Sequence, residues 1–505
     1  MKKRFFYTLG VLLVLTSCDG LNISQFFNSS STTTSHNTSY DSATSYDTTN
    51  NFYQAKNLRY TLRDTNSQLG WQTSLTTGEQ SFLIVPVDFS DYYGKSKGWT
   101  EEKLSNINKI FFGDSEDVAY ESVKSYFNKS SYGKLNITGE VANVFKSSYT
   151  LASASRLGDY VADKVIEQYY SAANSSLLKK YDKDGDGFVD NCVFVYSNTY
   201  SRTSTSTFWA WCSDSMTETN VNKPTINNYM WVSYEFSNDK YDDNYNSSKP
   251  ETHTFIHETG HMLGLDDYYC YDDENSWNCA GELDMQSYNV GDHNAYSKMA
   301  LGWIDPYVVT NSCQINLKTS SKYPEAILIN DNWNGSSFDE YILIEYYTPT
   351  GLNEIDAKHS YSKTQMYNYN GLRIYHVDAR LIKAKISGNS LVQSNDYVDE
   401  IDFDDYYNCY IVGASNSVNR SYLRSNRKTF RYLHLLDQGG NNRLNYGNGG
   451  KVEPSSALWT GSKQFTPSAV FFAGGTKFND KSEIGYSVSV SNLTDEDCLV
   501  TITKK

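Results

Sequence analysis

Residues 254–267 read Thr-Phe-Ile-His-Glu-Thr-Gly-His-Met-Leu-Gly-Leu-Asp-Asp. His257 and His261 are four apart, so on a helix both rings leave one face. Two imidazole nitrogens at that spacing can meet one zinc ion. Glu258 follows the first histidine, beside the position a water would take. Its carboxylate can accept the proton of that water as it attacks a carbonyl, then return it to the leaving group. With 8 His in 505 residues, an H-E-x-x-H pattern arises by chance in roughly 0.6% of such chains. The pattern is therefore read as chemistry, not as a solvated helix face.

The third ligand is sought just beyond. Gly264 can end the helix in a left-handed conformation, and Asp267 arrives six residues after His261. A carboxylate oxygen is an acceptable zinc ligand. Asp267 is the first choice, with Asp266 its neighbour in the same turn. Glu282, 21 residues after His261, has the spacing of a glutamate ligand from a second helix, but the glycine turn suits the short route better. His253, one turn before His257, reads as a neighbour rather than a ligand. Leu283–Asn289, LDMQSYN, supplies a candidate methionine turn, with Met285 as a soft, adaptable floor beneath the ligands. Tyr288 is a candidate catalytic group, a hydrogen-bond donor to the oxyanion of a tetrahedral intermediate. His293 is an alternative donor.

A second metal site is expected upstream. Asp182, Asp184, Asp186 and Asp190 stand at positions 1, 3, 5 and 9 of a loop with Gly187 at position 6. That pattern resembles a calcium loop. Position 12 is Val193 rather than glutamate, so it is no standard EF-hand. Dense like charge is costly without a cation, which favours structural Ca2+ over a bare acidic turn.

Around these motifs the front half mixes strands and helices. Ser81–Phe89, SFLIVPVDF, predicts a buried strand despite Pro86. Glu101–Phe111 and Val118–Phe127 predict helices, and Tyr160–Lys180 a largely helical stretch. Tyr132–Val141 predicts an edge strand or hairpin, and Cys192–Tyr196 and Asn228–Phe236 predict strands. The zinc motif's helix is expected over Thr252–Leu263. After Pro306 helical periodicity fades. Short runs such as Tyr341–Tyr346, Leu372–Val377, Phe430–Leu435 and Tyr486–Val490 are separated by Gly, Asn, Asp and Ser, the mark of a β-rich module. A boundary near residue 310 follows. Residues 52–310 are expected to form a catalytic domain and 311–505 a β-rich region, a β-sandwich.

The chain opens with Lys2-Lys3-Arg4 and an apolar stretch over 5–15. That stretch is too short to span a bilayer and reads as an export signal. It ends in Leu15-Thr16-Ser17-Cys18, which resembles the cleavage box of bacterial lipoproteins. Residues 1–17 are thus expected to be a lipoprotein signal peptide, with Cys18 the lipid-bearing first mature residue. Between Leu21 and Asn50, 19 of 30 residues are Ser, Thr or Asn, with no Lys or Arg. Such a segment buries too little apolar surface to order itself, so 18–51 is expected to be a tether. The protein is then exported, a membrane lipoprotein on the outer surface of a bacterium, touching the membrane only through its lipid. Seven cysteines follow Cys18, an odd number. Cys270 with Cys279 is the best candidate disulfide, Cys192 with Cys212 a weaker one. Lys plus Arg total 44 against 59 Asp plus Glu, a formal charge of −15. That balance argues against a nucleic-acid partner. Nothing calls for an oligomer.

Several stretches together resemble the immune inhibitor A-like secreted metallopeptidases of bacteria. These are LIVPVDFSD at 83–91, SVKSYFNKSSYGKLNITGEV at 122–141, YDKDGDGFVD at 181–190 and HETGHMLGLDDYY at 257–269. DMQSYNVGDHNAYSKMALGWIDP at 284–306, YILIEYY at 341–347 and GLRIYHVD at 371–378 continue the likeness. The resemblance covers most of residues 80–380. It implies a zincin-like α+β catalytic domain, a mixed sheet plus an active-site helix, followed by a β-rich C-terminal module. It also implies zinc at His257, His261 and Asp267, Glu258 as base, Met285 as the methionine-turn residue and calcium on the aspartate loop. Asp266 departs from the proline common before the aspartate ligand. The short, polar stretch before the first strand leaves little room for a large inhibitory propeptide. The leading expectation is a zinc endopeptidase acting on protein or peptide substrates. The alternatives are an adhesin or binding lipoprotein with structural zinc, and a zinc hydrolase acting on another bond.

Overall fold

A computed structural model describes residues 51–60, 62–63, 73–94, 97–200, 206–240, 244–269, 279–387, 390–398, 401, 409–414, 430–440, 454–472 and 474–505. The expected signal peptide, the tether before residue 51 and Cys270 lie outside them.

Strand β1 (Phe52–Gln54) is claimed by a sheet far downstream. Strand β2 (Gly78–Asp88) is the expected apolar run and is buried from Gln80 onward. It lies between two parallel neighbours, β3 (Leu135–Val141), extended by the short β4 (Phe145–Lys146), and β5 (Cys192–Tyr196). Pro86 survives there for a positional reason. Ile84 O accepts from Ala142 N on the β3 side, and Leu83 N donates to Asn191 O on the β5 side. Pro86 faces the same side as Ile84, where the ladder is interrupted between β3 and β4, so its missing N–H breaks no bond. Beyond β5 come β7 (Asn228–Ser233), parallel, and β6 (Trp211–Asp214), antiparallel at the edge.

Side chains alternate across this front sheet. Leu83, Val85, Val87 and Phe194 pack against the far-side helices with Val161, Val165 and Ile166. Phe82, Ile84, Val193 and Val195 face the near side with Ile107, Phe111, Phe127 and Phe255. The near-side helices are α1 (Glu101–Phe112), capped by Thr100, and α2 (Val123–Ser130), capped by Ser122. The far-side helices are α3 (Leu151–Ser155), α4 (Val161–Ala172) and α5 (Ser175–Lys180).

One helix expectation is corrected and another refined. The helix expected from Val118 begins only at Val123, because Ser122 Oγ takes the Ser125 N–H at 3.0 Å and sets the start. The largely helical stretch expected over Tyr160–Lys180 is two helices, with a break at Ala173, where ψ is 144°, and a restart behind the Asn174 cap. The disulfide between Cys192 and Cys212 is also overturned, since both are free thiols. Cys192 is in register with Tyr229 and Cys212 with Met230, on β7 between them. The two therefore point to opposite faces with a strand in between.

The metal-motif helix α6 (His253–Met262) joins the near face. It is followed by the one-turn α7 (Met285–Tyr288) and by α8 (Ala295–Ala300). The chain then becomes β-rich. Strands β8 (Tyr307–Val309), β10 (Ile327–Ile329), β11 (Glu340–Tyr347), β12 (Gly371–Asp378) and β16 (Leu433–Leu435) form a second sheet, edged by β1. Strands β9 (Cys313–Lys318), β17 (Tyr486–Ser491) and β18 (Asp497–Lys504) form a third. A separate hairpin-based sheet holds β13 (Leu381–Ser387), β14 (Ser390–Tyr397) and β15 (Cys409–Val412). The second and third sheets enclose an apolar layer that includes Ile315, Ile342, Ile344, Ile374, Val488 and Val500. The other face of the second sheet, through Leu328, Leu343, Tyr375 and Val377, joins the same core as Tyr296, Met299 and Trp303. The chain is thus an α+β domain followed by a β-rich region. No helix among the described residues is long and apolar enough to cross a membrane.

Candidate metal centre

Every residue of α6 is buried. Its opening N–H groups are covered from outside the helix: Glu251 Oε1 accepts from Thr252 N at 2.8 Å and His253 N at 3.4 Å, a carboxylate at the positive end of the helix. The exit is a Schellman turn. Leu265 N donates to Gly260 O at 3.0 Å and Gly264 N to His261 O at 2.8 Å, with Gly264 at φ +101°. Gly264 thus ends the helix as expected, and the glycine conformation is required there.

This turn brings Asp267 back over the helix. His257 Nε2 and His261 Nε2 are 3.0 Å apart. Asp267 Oδ1 lies 3.1 Å from the first and 3.2 Å from the second. A tetrahedral ion with bonds of about 2.0–2.1 Å needs ligand atoms roughly 3.3 Å apart, and this triangle meets that within a few tenths of an ångström. The ring orientations fit as well. His257 Nδ1 donates to Met285 O at 2.7 Å and His261 Nδ1 to Leu265 O at 2.7 Å. Carbonyls only accept, so both rings carry a proton on Nδ1 and turn Nε2 inward toward Asp267. The buried His/His/Asp group has the ligand types and spacing that could hold a metal ion such as zinc. Asp266 is half-buried and outside the cluster, as is Glu282.

The charges respond to this crowding. Burial pushes the Asp267 carboxyl up, but His261 and His257 outweigh it and hold it far below the usual carboxylate range. Burial would lower His261, but Asp267 raises it to about 9. Glu258 is buried, and desolvation raises its pKa against the lowering pull of the two histidines.

Met285 is fully buried, and its carbonyl holds His257. Gln286 sits across the back of the helix. Its Nε2 donates to His257 O at 3.2 Å, and its Oε1 is 3.2 Å from His293 Nε2. A Cβ on Gly260 would lie 2.2 Å from that Oε1. His293 is wholly engaged in the core, its Nδ1 3.3 Å from both Tyr126 Oη and Ser130 Oγ. Tyr288 is 40% exposed, with its hydroxyl 3.5 Å from Ser362 O. His253 lies between the carboxylates of Glu251 and Asp356, the latter at 3.3 Å. It is stacked between the rings of Tyr120 at 4.4 Å and Tyr361 at 4.0 Å. Burial opposes its charge, but Glu251 and Asp356 lift its pKa to about 10. On edge strand β6, the Cys212 thiol touches Glu258, with Sγ 3.0 Å from its backbone O and 3.7 Å from Oε2. Gln286 and Gly260 carried no sequence signal of their own; only their neighbours in the motifs did. Cys212 reads in the sequence only as a disulfide candidate.

The aspartate loop closes between α5 and β5. Asp182, Asp184 and Asp190 bring their oxygens together. Asp186 stands apart from that trio, and its Oδ1 accepts from Phe188 N at 2.8 Å. Burial raises the carboxyl of Asp186 to about 6 and of Asp190 to about 7. Asp182 Oδ1 is buried and has no hydrogen-bond partner among the described residues, an orphaned acceptor that a cation would satisfy. Arg63 reaches Asp184 at 3.2 Å. These residues fit a hard, oxygen-preferring ion.

No protein-family model matches the chain, and no curated protein matches it.

Proposed function

We propose that this protein is a zinc-dependent endopeptidase of extracellular proteins, exported and anchored through Cys18, with calcium on the Asp182–Asp190 loop. The observation that carries the reading is the inward-facing triangle of His257, His261 and Asp267 with Glu258 buried beside it. Three protein ligands are the complement of a catalytic zinc site, whereas a structural site is closed by four. When bound, zinc polarises a carbonyl oxygen and lowers the pKa of water. His257 and His261 present Nε2, fixed by their bonds to Met285 O and Leu265 O. Glu258 takes a proton from water and delivers it to the leaving amine. With the Cys212 thiol near Oε2, Oε1 is the oxygen left for that transfer. Tyr288 is proposed to approach the oxyanion.

The edge strand supports a peptide as substrate. No described strand pairs with the outer side of β6. An extended segment added there, by main-chain hydrogen bonding, runs past Glu258. The likeness to immune inhibitor A-like metallopeptidases agrees with this reading.

The test is cleavage of a denatured protein by the zinc-loaded chain, beside Glu258→Gln. The variant should retain stoichiometric zinc and lose about 10²–10⁴-fold in turnover. Equal cleavage by both would remove Glu258 from the mechanism. Stoichiometric zinc with no cleavage by either would favour the binding-lipoprotein reading.

A further inference from the structure

The two candidate metal sites are joined by one short segment. Thr73 and Ser74 line the same cavity as Asp184, Asp186 and Asp190. Thr73 is 4% exposed, yet its Oγ1 has no hydrogen-bond partner among the described residues. A buried hydroxyl without a partner is costly. Thr73 also borders the cavity that presents the carboxylates. The next residue, Ser74, also reaches the end of α6 through its backbone. Ser74 N donates to Met262 O at 2.9 Å. Asn228 Nδ2 donates to the same carbonyl at 3.1 Å and lies 3.3 Å from Ser74 Oγ. Met262 is the last residue of α6 and follows His261 directly.

We infer that a cation on the aspartate loop takes the Thr73 hydroxyl as a further oxygen ligand, and that this couples the loop to the His257/His261/Asp267 site. Oxygen ligands are what calcium prefers, and hydroxyl joins carboxylate readily around such an ion. Ligation of Thr73 fixes the segment whose next N–H caps the end of α6. The last turn of that helix carries His261 and launches the turn that returns Asp267. A segment already ordered by one ion lowers the ordering cost of binding the other. Arg63, 3.2 Å from Asp184, supplies the competing positive charge in the absence of the cation. The inference rests on the zinc and calcium readings above.

Linkage makes the test reciprocal: calcium must change zinc affinity by the factor by which zinc changes calcium affinity. Zinc affinity of the full chain is measured by competition with a chromophoric chelator, without and with saturating calcium. Terbium luminescence reports loop occupancy directly. Calcium should tighten zinc by about 5–150-fold in the wild type, the usual span of such couplings, and equally in Thr73→Ser, which keeps the hydroxyl. Thr73→Val, nearly the same shape, should bind calcium more weakly and lose most of the zinc effect even when the loop is saturated. Zinc affinity indifferent to bound calcium, or an undiminished effect in Thr73→Val, would overturn the coupling alone. Absence of any calcium or terbium binding would overturn the calcium reading and the coupling together.

Discussion

Gly260, in the middle of α6, is a close-approach glycine. In an exposed helix, alanine there would gain about 1 kcal/mol over glycine. Here its Cβ would meet Gln286 Oε1 at 2.2 Å, and Gln286 is fully buried. Overpacking of this kind costs about 1–3 kcal/mol, so it outweighs the propensity gain. Gly260→Ala is expected to lower the melting temperature and to weaken zinc retention. Adding Gln286→Ala should restore part of both, a coupling that a double-mutant cycle reads directly. Additive losses would mean that Gln286 is not what Gly260 accommodates. At this scale the sequence was legible where spacing alone determines geometry. The i, i+4 histidines and the glycine turn gave two ligands and the helix end. Asp267 was already the first choice over Asp266 from the spacing, and the path of the turn agrees with it. The parts played by Gln286 and Cys212 at this site were invisible, because they come from tertiary approach rather than from any local pattern.

The metal-binding helix, as an element, is gripped at both ends. At its start, His253 bridges Glu251 on its own approach and Asp356 of the short helix α9 (Glu354–Lys358). Tyr120 and Tyr361 cover its two ring faces, a favourable place for a cation. Removing one partner of such a buried group costs about 3–5 kcal/mol, so His253→Gln should be strongly destabilised at neutral pH. The sign of its pH dependence follows from a folded pKa of about 10 above the ordinary value near 6.5. The protonated imidazole stabilises fully below pH ~6.5, and the contribution fades as pH rises through about 10. The stability gap between wild type and variant should therefore narrow between those values, as read from urea unfolding. A constant gap would reduce His253 to packing. Elements with strong periodicity, such as α1 and α4, were readable in the sequence. The start of α2 was not, since Val118–Tyr120 are apolar and buried without being helical, and only the Ser122 cap fixes the onset.

Over the whole molecule, the apolar core that holds α6 does not stop at residue 310. Leu343 and Tyr375 of the second sheet share it with Tyr296 and Met299. A chain ending at residue 310 loses β10, β11 and β12 and bares that face. It is expected to show no cooperative unfolding transition and to bind a hydrophobic dye, whereas cooperative melting would show that the front half folds alone. The sequence announced the change from helix to strand near this point. It could not announce that β1, from the other end of the chain, would be recruited across it. That recruitment has a mechanical meaning. Besides the β1–β8 ladder, Asn51 O accepts from Thr310 N at 2.9 Å and Asn311 N at 3.2 Å, and Ala55 N donates to Pro306 O at 2.9 Å. Among the described residues, a pull on the chain from its N-terminal side thus meets a staple across residues 306–311 first. The force runs into the wall of the second sheet, and the helix bearing His257 and His261 lies off the load path until that staple tears.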